Sequence, residues 1–398
     1  MIGLPNRLVR FAIVASIVLT FIFLGFTQTD KIRQTLDLQK SGILGGNSEK
    51  KPEAPHEYYE IKTHKSQPNT DYLPDGRVNA AFVTLVRNED LHDMLLSIER
   101  LENRFNKRYH YPWVFLNDKE FTEEFKTAIR AAVSGGAEFG FVEPKYWSIP
   151  SHIDQDKMHA SWRDMEKNNI IYGGSESYRH MCRFESGFFY RHPLVSQYEY
   201  YWRVEPSVDF YCDIDFDPFV YMKENEKLYA FTISLHEYAE TVTTLWDVTK
   251  AFVAEHPTAI HPNNTLEFIS DDNGQSYNMC HFWSNFEIAS VNFWTSEPYA
   301  SYFEYLDRMG GFFYERWGDA PVHSIAAALF MDRKHLHFFN EIGYYHPGIT
   351  HCPIEDEFRS KCSCRPSDTI DFNGYSCNKH WYEVMNIPFP QNYELYLK

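Results

Sequence analysis

The sequence predicts an α/β fold organised around a mainly parallel sheet. One observation behind this prediction is that short apolar runs alternate with longer segments of helical spacing along residues 78–142. Another is a later apolar run, at 200–204, that leads into a group of carboxylates. Ligands of open α/β sheets gather beyond the carboxyl ends of the strands, so the sequence also predicts a binding site at that sheet edge.

The predicted elements follow in order along the chain. Strands are expected at 80–86, 113–116 and 138–142, and helices at 90–104 and 120–132. This βαβαβ order implies parallel strands joined by right-handed crossovers. A long loop is expected at 144–176, followed by helices at 177–190, 241–255 and 322–331 and by a strand at 228–233.

The turn after the first strand carries no dinucleotide fingerprint. Arg87 and Asn88 stand where a G-x-G-x-x-G motif would follow that strand. Arg87 is instead a candidate partner for a phosphate or a base, with a solvated loop arginine as an equally good alternative.

The stretch YYWRVEPSVDFYCDIDFDP, at 200–218, places several carboxylates behind a strand of aromatic and β-branched residues. Hard divalent cations prefer carboxylate ligands, so this cluster predicts a metal site. An EF-hand loop is excluded, because Pro218 stands where that loop needs glycine. Capping of a helix is the alternative for Asp217. The carboxylates of the cluster are Glu205, Asp209, Asp213, Asp215 and Asp217.

Three more candidates come from the second half of the chain. Glu287 lies in the aromatic stretch YNMCHFWSNFEI, where burial would raise the pKa of its carboxyl unless a cation or donor held it ionised. It is a candidate nucleophile or acid–base group, with a surface glutamate as the alternative. Asp319 lies in a turn that leads into a predicted helix, with capping of that helix as its alternative role. His346 comes just before Pro347, in an extended loop suited to presenting an imidazole to a metal.

The net charge of the protein indicates which partners it can bind, and its N-terminal sequence indicates where it is located. A formal charge of -17 over 398 residues argues against nucleic acid. Residues 11–26 are almost wholly apolar and follow Arg7 and Arg10, which predicts an uncleaved signal anchor with its N-terminus in the cytoplasm. The predicted organisation is a cytoplasmic tail at 1–10, a transmembrane anchor at 11–26, a stem at 27–77 and a lumenal domain at 78–398.

The sequence contains seven cysteines, and the four nearest the C-terminus are expected to form disulfides in an oxidising lumen. The odd total leaves at least one cysteine free or in an intermolecular bond. Zinc binding together with His351 and His380 is the alternative, although the Cys-x-Cys spacing fits it poorly. An acceptor sequon for N-glycosylation begins at Asn263. The C-terminal cysteines are Cys352, Cys362, Cys364 and Cys377.

The ordered motifs TLVRNED, RVEP with FYCDIDFDPF, YNMCHFWSNFEI, RWGDAPVHS and GYYHPGITHCP resemble the fungal Golgi α-1,2-mannosyltransferases of the yeast Kre2/Mnt1 and Ktr type. The resemblance covers residues 78–387. It implies a single GT-A-like domain with a mixed, mainly parallel sheet, anchored in the Golgi membrane as a type II protein. It also implies retaining transfer of mannose from GDP-mannose, with manganese, to mannosides of O-linked or N-linked chains on glycoproteins.

The same resemblance implies roles for individual residues. At Asp209 this sequence departs from the family, in which lysine is commoner, and the change adds negative charge near the expected metal and phosphates. The implied roles are metal binding for Glu205 and His346, nucleophilic attack for Glu287, a place in the active site for Tyr178 and Asp319, and nucleotide contacts for Arg87, Arg203 and Tyr178.

Other functions remain open at the level of sequence. A lumenal mannan-binding lectin would use the same acidic and aromatic surface without a nucleotide pocket. A mannosylphosphate transferase would yield a product that carries phosphate. A glycoside hydrolase would pair Glu287 with a second carboxylic acid and need no GDP. Retention itself is compatible with a covalent intermediate on Glu287 and with departure and attack on the same face.

Overall fold

The computed structural model describes residues 72–398. The predicted tail, the anchor at 11–26 and all but the last part of the stem lie outside this region. Within it, no helix has both the length and the apolar character needed to cross a bilayer. Residues 72–253 and 258–398 belong to one compact unit.

A central sheet of seven strands confirms the α/β prediction. Its order is β10-β6-β9-β4-β1-β2-β3. The strands β1 to β4 run parallel, and β9 is antiparallel to both β4 and β6, so the sheet is mixed and mainly parallel. The strands of the described region are β1 Ala80–Leu85, β2 Trp113–Asn117, β3 Ala137–Phe141, β4 Tyr200–Arg203, β5 Asp209–Phe210, β6 Tyr229–Phe231, β7 Ser234–His236, β8 Cys280–Phe282, β9 Glu287–Ser290, β10 Leu336–Phe338, β11 Tyr344–His346 and β12 Ile349–His351.

Helices cover both faces of this sheet, which explains why its strands read as continuous apolar runs. In β1, Ala81 and Val83 pack into the core on one face, and Phe82 packs into the core on the other. The helices of the same region are α1 Leu91–Leu101, α2 Lys107–Tyr109, α3 Glu123–Ala132, α4 Gln155–Lys167, α5 Glu176–Gly187, α6 Pro218–Glu224, α7 Leu245–Glu255, α8 Leu266–Ile269, α9 Val291–Trp294, α10 Glu297–Met309, α11 Gly311–Tyr314, α12 Asp319–Phe330 and α13 Asn378–Met385.

The long loop predicted at 144–176 is wrong in its middle part, which forms α4. Asp154 caps this helix by accepting a hydrogen bond from the backbone N–H of Lys157. Met158 and Trp162, one turn apart, are its buried apolar residues, and the rest of the helix is largely polar. Two apolar positions give too weak a periodic signal to predict a helix.

A small antiparallel sheet of β5, β11 and β12 lies beyond the carboxyl end of β4. Because β11 pairs with β5, the segment that carries His346 is brought next to the segment that follows Glu205. All four C-terminal cysteines are in disulfides, as predicted, and Cys182 is buried and forms none. The bonds are Cys212–Cys362, Cys280–Cys377 and Cys352–Cys364.

Candidate active site

Three carboxylates converge on the side chain of Arg203, the last residue of β4. Its Nη1 donates to Asp319 Oδ2 over 2.6 Å, and its Nη2 donates to Glu205 Oε1 over 2.6 Å. Glu185 Oε2, from α5, lies 3.8 Å from Nη1. Since Arg203 itself is 8% exposed, these charges interact in a largely dry environment. We call these four residues the carboxylate–arginine cluster.

Burial and charge act differently on the carboxylates of the cluster. Burial by itself would raise the pKa of Glu205, but Arg203 and the hydrogen bond from His346 lower it to about 2. Arg203 likewise holds the pKa of Asp319 below its usual range against the effect of burial. For Glu185 burial dominates and raises the pKa to about 7, because the distance to Arg203 is longer. Glu205 and Asp319 are therefore ionised, and together they outweigh the single arginine.

His346 completes a carboxylate–imidazole pair with Glu205. Its Nε2 donates to Glu205 Oε2 over 3.3 Å, and the ring of Trp283 packs against the imidazole edge to face with a centroid distance of 4.7 Å. The other ring nitrogen, Nδ1, is buried and has no hydrogen-bond partner among residues 72–398. Carboxylate oxygens and imidazole nitrogens are ligands of manganese, so the pair fits the metal site predicted for these two residues.

The larger metal cluster predicted at 205–217 is wrong beyond Glu205. Each aspartate that follows instead contacts a partner of its own. The reason is that the chain enters β5 at Asp209 and then passes basic side chains from other parts of the sequence, which form ion pairs with three of the four carboxylates. The contacts are Asp209 with Arg100 at 3.6 Å, Asp213 with Arg104 at 2.6 Å, Asp215 with Lys361 at 2.5 Å and Asp217 with the backbone N–H of Phe219 at 2.9 Å.

Glu287 begins β9, directly across from Arg203 on β4, and its side chain is fully buried. The hydroxyl of Tyr201 donates to its Oε1 over 2.5 Å, and Nδ1 of His323 donates to its Oε2 over 3.0 Å. The other nitrogen of His323 donates to the backbone carbonyl of Glu185 over 3.1 Å. Burial would lower the pKa of His323, but the charge of Glu287 raises it. Both carboxylate oxygens of Glu287 are thus engaged by donors inside the protein.

Asp319 is the first residue of α12, and its side chain does not cap that helix. Besides accepting from Arg203, its Oδ2 accepts from the hydroxyl of Ser284 over 2.6 Å. His323 follows Asp319 by one helical turn, so α12 directs both side chains toward the carboxyl end of β4. The structure therefore does not support helix capping as the role of Asp319.

Tyr178 lies close to the carboxylate–arginine cluster. Arg87 lies at the same end of the sheet as the cluster. Arg316, three residues before Asp319, lies over the ring of Tyr178 on α5, with its guanidinium carbon 5.1 Å from the ring centroid. Arg87 is exposed and donates two hydrogen bonds to Asp90, of 2.8 and 2.9 Å. It follows β1, which is parallel to β4, so it lies at the same end of the sheet as Glu205.

Four residues that contact the predicted site residues were not predicted from the sequence. Helical spacing contained a signal for two of them, since Glu185 follows Tyr178 by seven residues and His323 follows Asp319 by four. Side-chain alternation along β4 contained a signal for a third residue, because Tyr201 stands two residues before Arg203 and so lies on the same face of the strand. Those not found are Glu185, Tyr201, Ser284 and His323.

Solved structures identify the class of protein. The chain is similar to core-mannan synthase A from Aspergillus fumigatus in its Mn/GDP form, with a TM-score of 0.74, 40% identity, and coverage of 79% of this chain and 87% of that one. It is also similar to the mannosyltransferase Ktr4p of Saccharomyces cerevisiae in complex with GDP, with a TM-score of 0.75, 38% identity, and coverage of 93% and 94%. The fold is that of a GT-A-like α/β glycosyltransferase.

Curated relatives narrow the class to a family. The chain is 61% identical to the O-glycoside alpha-1,2-mannosyltransferase omh1 of Schizosaccharomyces pombe, over 85% of this chain and 87% of that protein. It is 54% identical to the alpha-1,2 mannosyltransferase KTR1 of Saccharomyces cerevisiae, over 80% and 81%. The family model described as glycolipid 2-alpha-mannosyltransferase matches residues 37–386. The chain belongs to this family of fungal α-1,2-mannosyltransferases, as the motifs indicated.

Proposed function

We propose that this chain transfers mannose from GDP-mannose to the 2-hydroxyl of a terminal mannose on a glycoprotein glycan, with retention of configuration. The observation that carries the proposal is the Glu205–His346 pair at the carboxyl end of β4, next to the buried Arg203. The names of the relatives support the linkage, and the Mn/GDP form of core-mannan synthase A supports the metal and the nucleotide. The acceptor chains are O-linked or N-linked.

Glu205 and His346 are proposed to hold manganese. The cation, when bound, offsets the charge of the diphosphate and so makes GDP a better leaving group. Arg203 fixes the carboxylate of Glu205 through a hydrogen bond to Oε1, which leaves Oε2 directed toward His346. The surplus negative charge of Glu205 and Asp319 also favours a divalent cation here.

Asp319 and Tyr178 are proposed to face the reacting sugars. The carboxylate of Asp319 is oriented from two sides, by Arg203 and by Ser284, so its position is fixed before any substrate binds. Tyr178 lies close to the start of α12, because Arg316, three residues before Asp319, packs over its ring. Arg87, at the end of β1, is the proposed contact for the nucleotide, together with Arg203.

Glu287 is proposed to act on the anomeric centre, and the structure defines what each version of this role requires. As a nucleophile it would have to exchange its hydrogen bond from Tyr201 or His323 for a bond to the sugar. As a group that stabilises positive charge it could keep both donors. The network of Tyr201, Glu287 and His323 supports a carboxylate whose orientation is fixed by its donors.

We further propose that residues 11–26 anchor the protein in the Golgi membrane and that the domain from residue 78 onward is lumenal. Asn263 gives a chemical test of this topology, because its side chain is exposed and oligosaccharyl transfer occurs only in the lumen. Removal of N-glycans should increase the mobility of the wild-type chain but not that of Asn263→Gln. Digestion of the domain by protease added to sealed vesicles would contradict the lumenal topology.

The donor specificity can be tested with purified domain, GDP-mannose and methyl α-mannoside. We expect release of GDP that requires manganese and that rises with acceptor concentration. UDP-glucose and GDP-glucose serve as matched donors, and each should support at most slow release. Equal use of the three donors would contradict the proposed function.

A further inference from the structure

An exposed tyrosine packs on Tyr178, which is proposed to face the reacting sugars. Tyr172 lies between α4 and α5, and its side chain is 53% exposed. Its ring stacks on that of Tyr178 at a centroid distance of 4.3 Å and an interplanar angle of 13°. Exposed aromatic rings held in a stack offer a rigid apolar face at small cost in conformational entropy.

The backbone holds Tyr172 in an unfavourable conformation. Its φ is 56°, in the left-handed region, which is rare for a bulky side chain. Its carbonyl accepts hydrogen bonds from the backbone N–H of Ser175 at 3.0 Å and from Nη1 of Arg179 at 3.4 Å. Strained residues that their surroundings enforce are concentrated at functional sites, so the position of this ring calls for a function.

Arg316 packs on Tyr178 and carries a buried donor without a partner in the described region. Its guanidinium lies over the Tyr178 ring, 5.1 Å from the centroid, and its side chain is 4% exposed. Nη2 reaches Glu237 at 3.4 Å, while the buried Nε finds no acceptor among residues 72–398. A buried donor without an acceptor is costly, and a hydroxyl of a bound sugar would satisfy it.

We propose that Tyr172 and Tyr178 form a stacking platform for the second sugar of the acceptor chain, and that Arg316 donates a hydrogen bond to a sugar hydroxyl. This inference rests on the proposed function. The terminal mannose must reach the reaction centre near Asp319. Tyr178 lies close to this centre, because Arg316, three residues before Asp319, packs over the Tyr178 ring. Tyr172 lies one ring further out, so it meets the apolar C–H face of the next sugar. The enzyme should therefore prefer a disaccharide acceptor to a single mannose.

The test compares methyl α-mannoside with α-1,2-mannobiose as acceptors, at saturating GDP-mannose, for three variants. Tyr172→Gly removes the ring, and glycine accepts the positive φ without strain. Tyr172→Phe keeps the ring and loses only the hydroxyl. Phe141→Ala removes another exposed aromatic side chain, on the edge strand β3, and is the matched control. The Km for GDP-mannose and the thermal midpoint are measured for each.

We expect Tyr172→Gly to lower kcat/KM for mannobiose about tenfold more than for methyl α-mannoside, the size of one aromatic stacking contact. Tyr172→Phe and Phe141→Ala should keep the wild-type ratio between the two acceptors. An equal effect of Tyr172→Gly on both acceptors, or no effect on either, would contradict the proposed platform. A raised Km for GDP-mannose would show that the ring contacts the base of the donor instead. Failure of the wild-type chain to use either acceptor would contradict the proposed function itself.

Discussion

Arg203 and Asp319 are in contact at 2.6 Å, although 116 residues separate them in the sequence. The contact ties the end of β4 to the start of α12 and brings the motifs RVEP and GDAP into one site. Because both side chains are buried, each depends on the other for its charge balance.

Replacement of Arg203 by methionine should destabilise the fold. The variant leaves the buried Asp319 and the partly buried Glu205 without their counter-charge, so the free energy of unfolding should fall by about 3–5 kcal/mol, as for other broken buried ion pairs. Denaturant titration measures this change. The control is Arg87→Met, which breaks the exposed pair with Asp90 and should cost about 1 kcal/mol or less. Similar costs for the two variants would contradict a buried role for Arg203.

The metal assignment can be tested with a matched acidic control. Glu205→Ala and His346→Ala should each abolish manganese binding to the protein–GDP complex, measured by calorimetry, and with it the manganese-dependent activity. Asp213→Ala should leave both unchanged, since its carboxylate pairs with Arg104. All three variants should fold. Manganese affinity at the wild-type level in either of the first two would reject the assignment.

Glu287→Gln separates the two proposed roles of that residue. A lost nucleophile should lower kcat by several orders of magnitude, about 4–8 kcal/mol of barrier. A lost charge-stabilising group should lower kcat by about 10²–10³. Tyr201→Phe is the companion variant, because it removes a donor to Glu287 and keeps the carboxylate. Binding of GDP-mannose should persist in both variants, and near-normal turnover of Glu287→Gln would exclude Glu287 from the chemistry.

Glu185 should make stability depend on pH. Burial raises the pKa of its carboxyl in the folded chain from 4.5 to about 7. Between these two pH values the unfolded chain has lost this proton, while the folded chain still keeps it. The free energy of unfolding therefore falls as the pH rises, and this loss is complete above about pH 7. The change amounts to roughly 3 kcal/mol, at about 1.4 kcal/mol for each pKa unit.

Glu185→Gln should remove this dependence. The free energy of unfolding is compared at pH 5 and pH 8 for the wild type and the variant, and the wild type should lose more between the two. An equal pH dependence in both proteins would show that Glu185 keeps an ordinary pKa.

The sequence predicted the sheet well because the signal for buried strands is local. β1, β2 and α1 follow from apolar runs and helical spacing. The site was predicted only in part, because the direction of a side chain in a turn is not a local property. Asp213 and Asp215 stand close to Glu205 in sequence, yet each pairs with a distant base. Glu287 was predicted to be desolvated, but its donor Tyr201 depends on the pairing of strands.

The most direct test of the account is the structure of the product formed from GDP-mannose, manganese and a short α-mannoside. Purified domain is incubated with these three components, and the extended sugar is analysed by linkage-specific mannosidase digestion and by NMR. We predict one added mannose in an α-1,2 linkage, formed only with manganese and absent with Glu205→Ala. Release of GDP without an extended sugar, or a product that carries phosphate, would contradict the account.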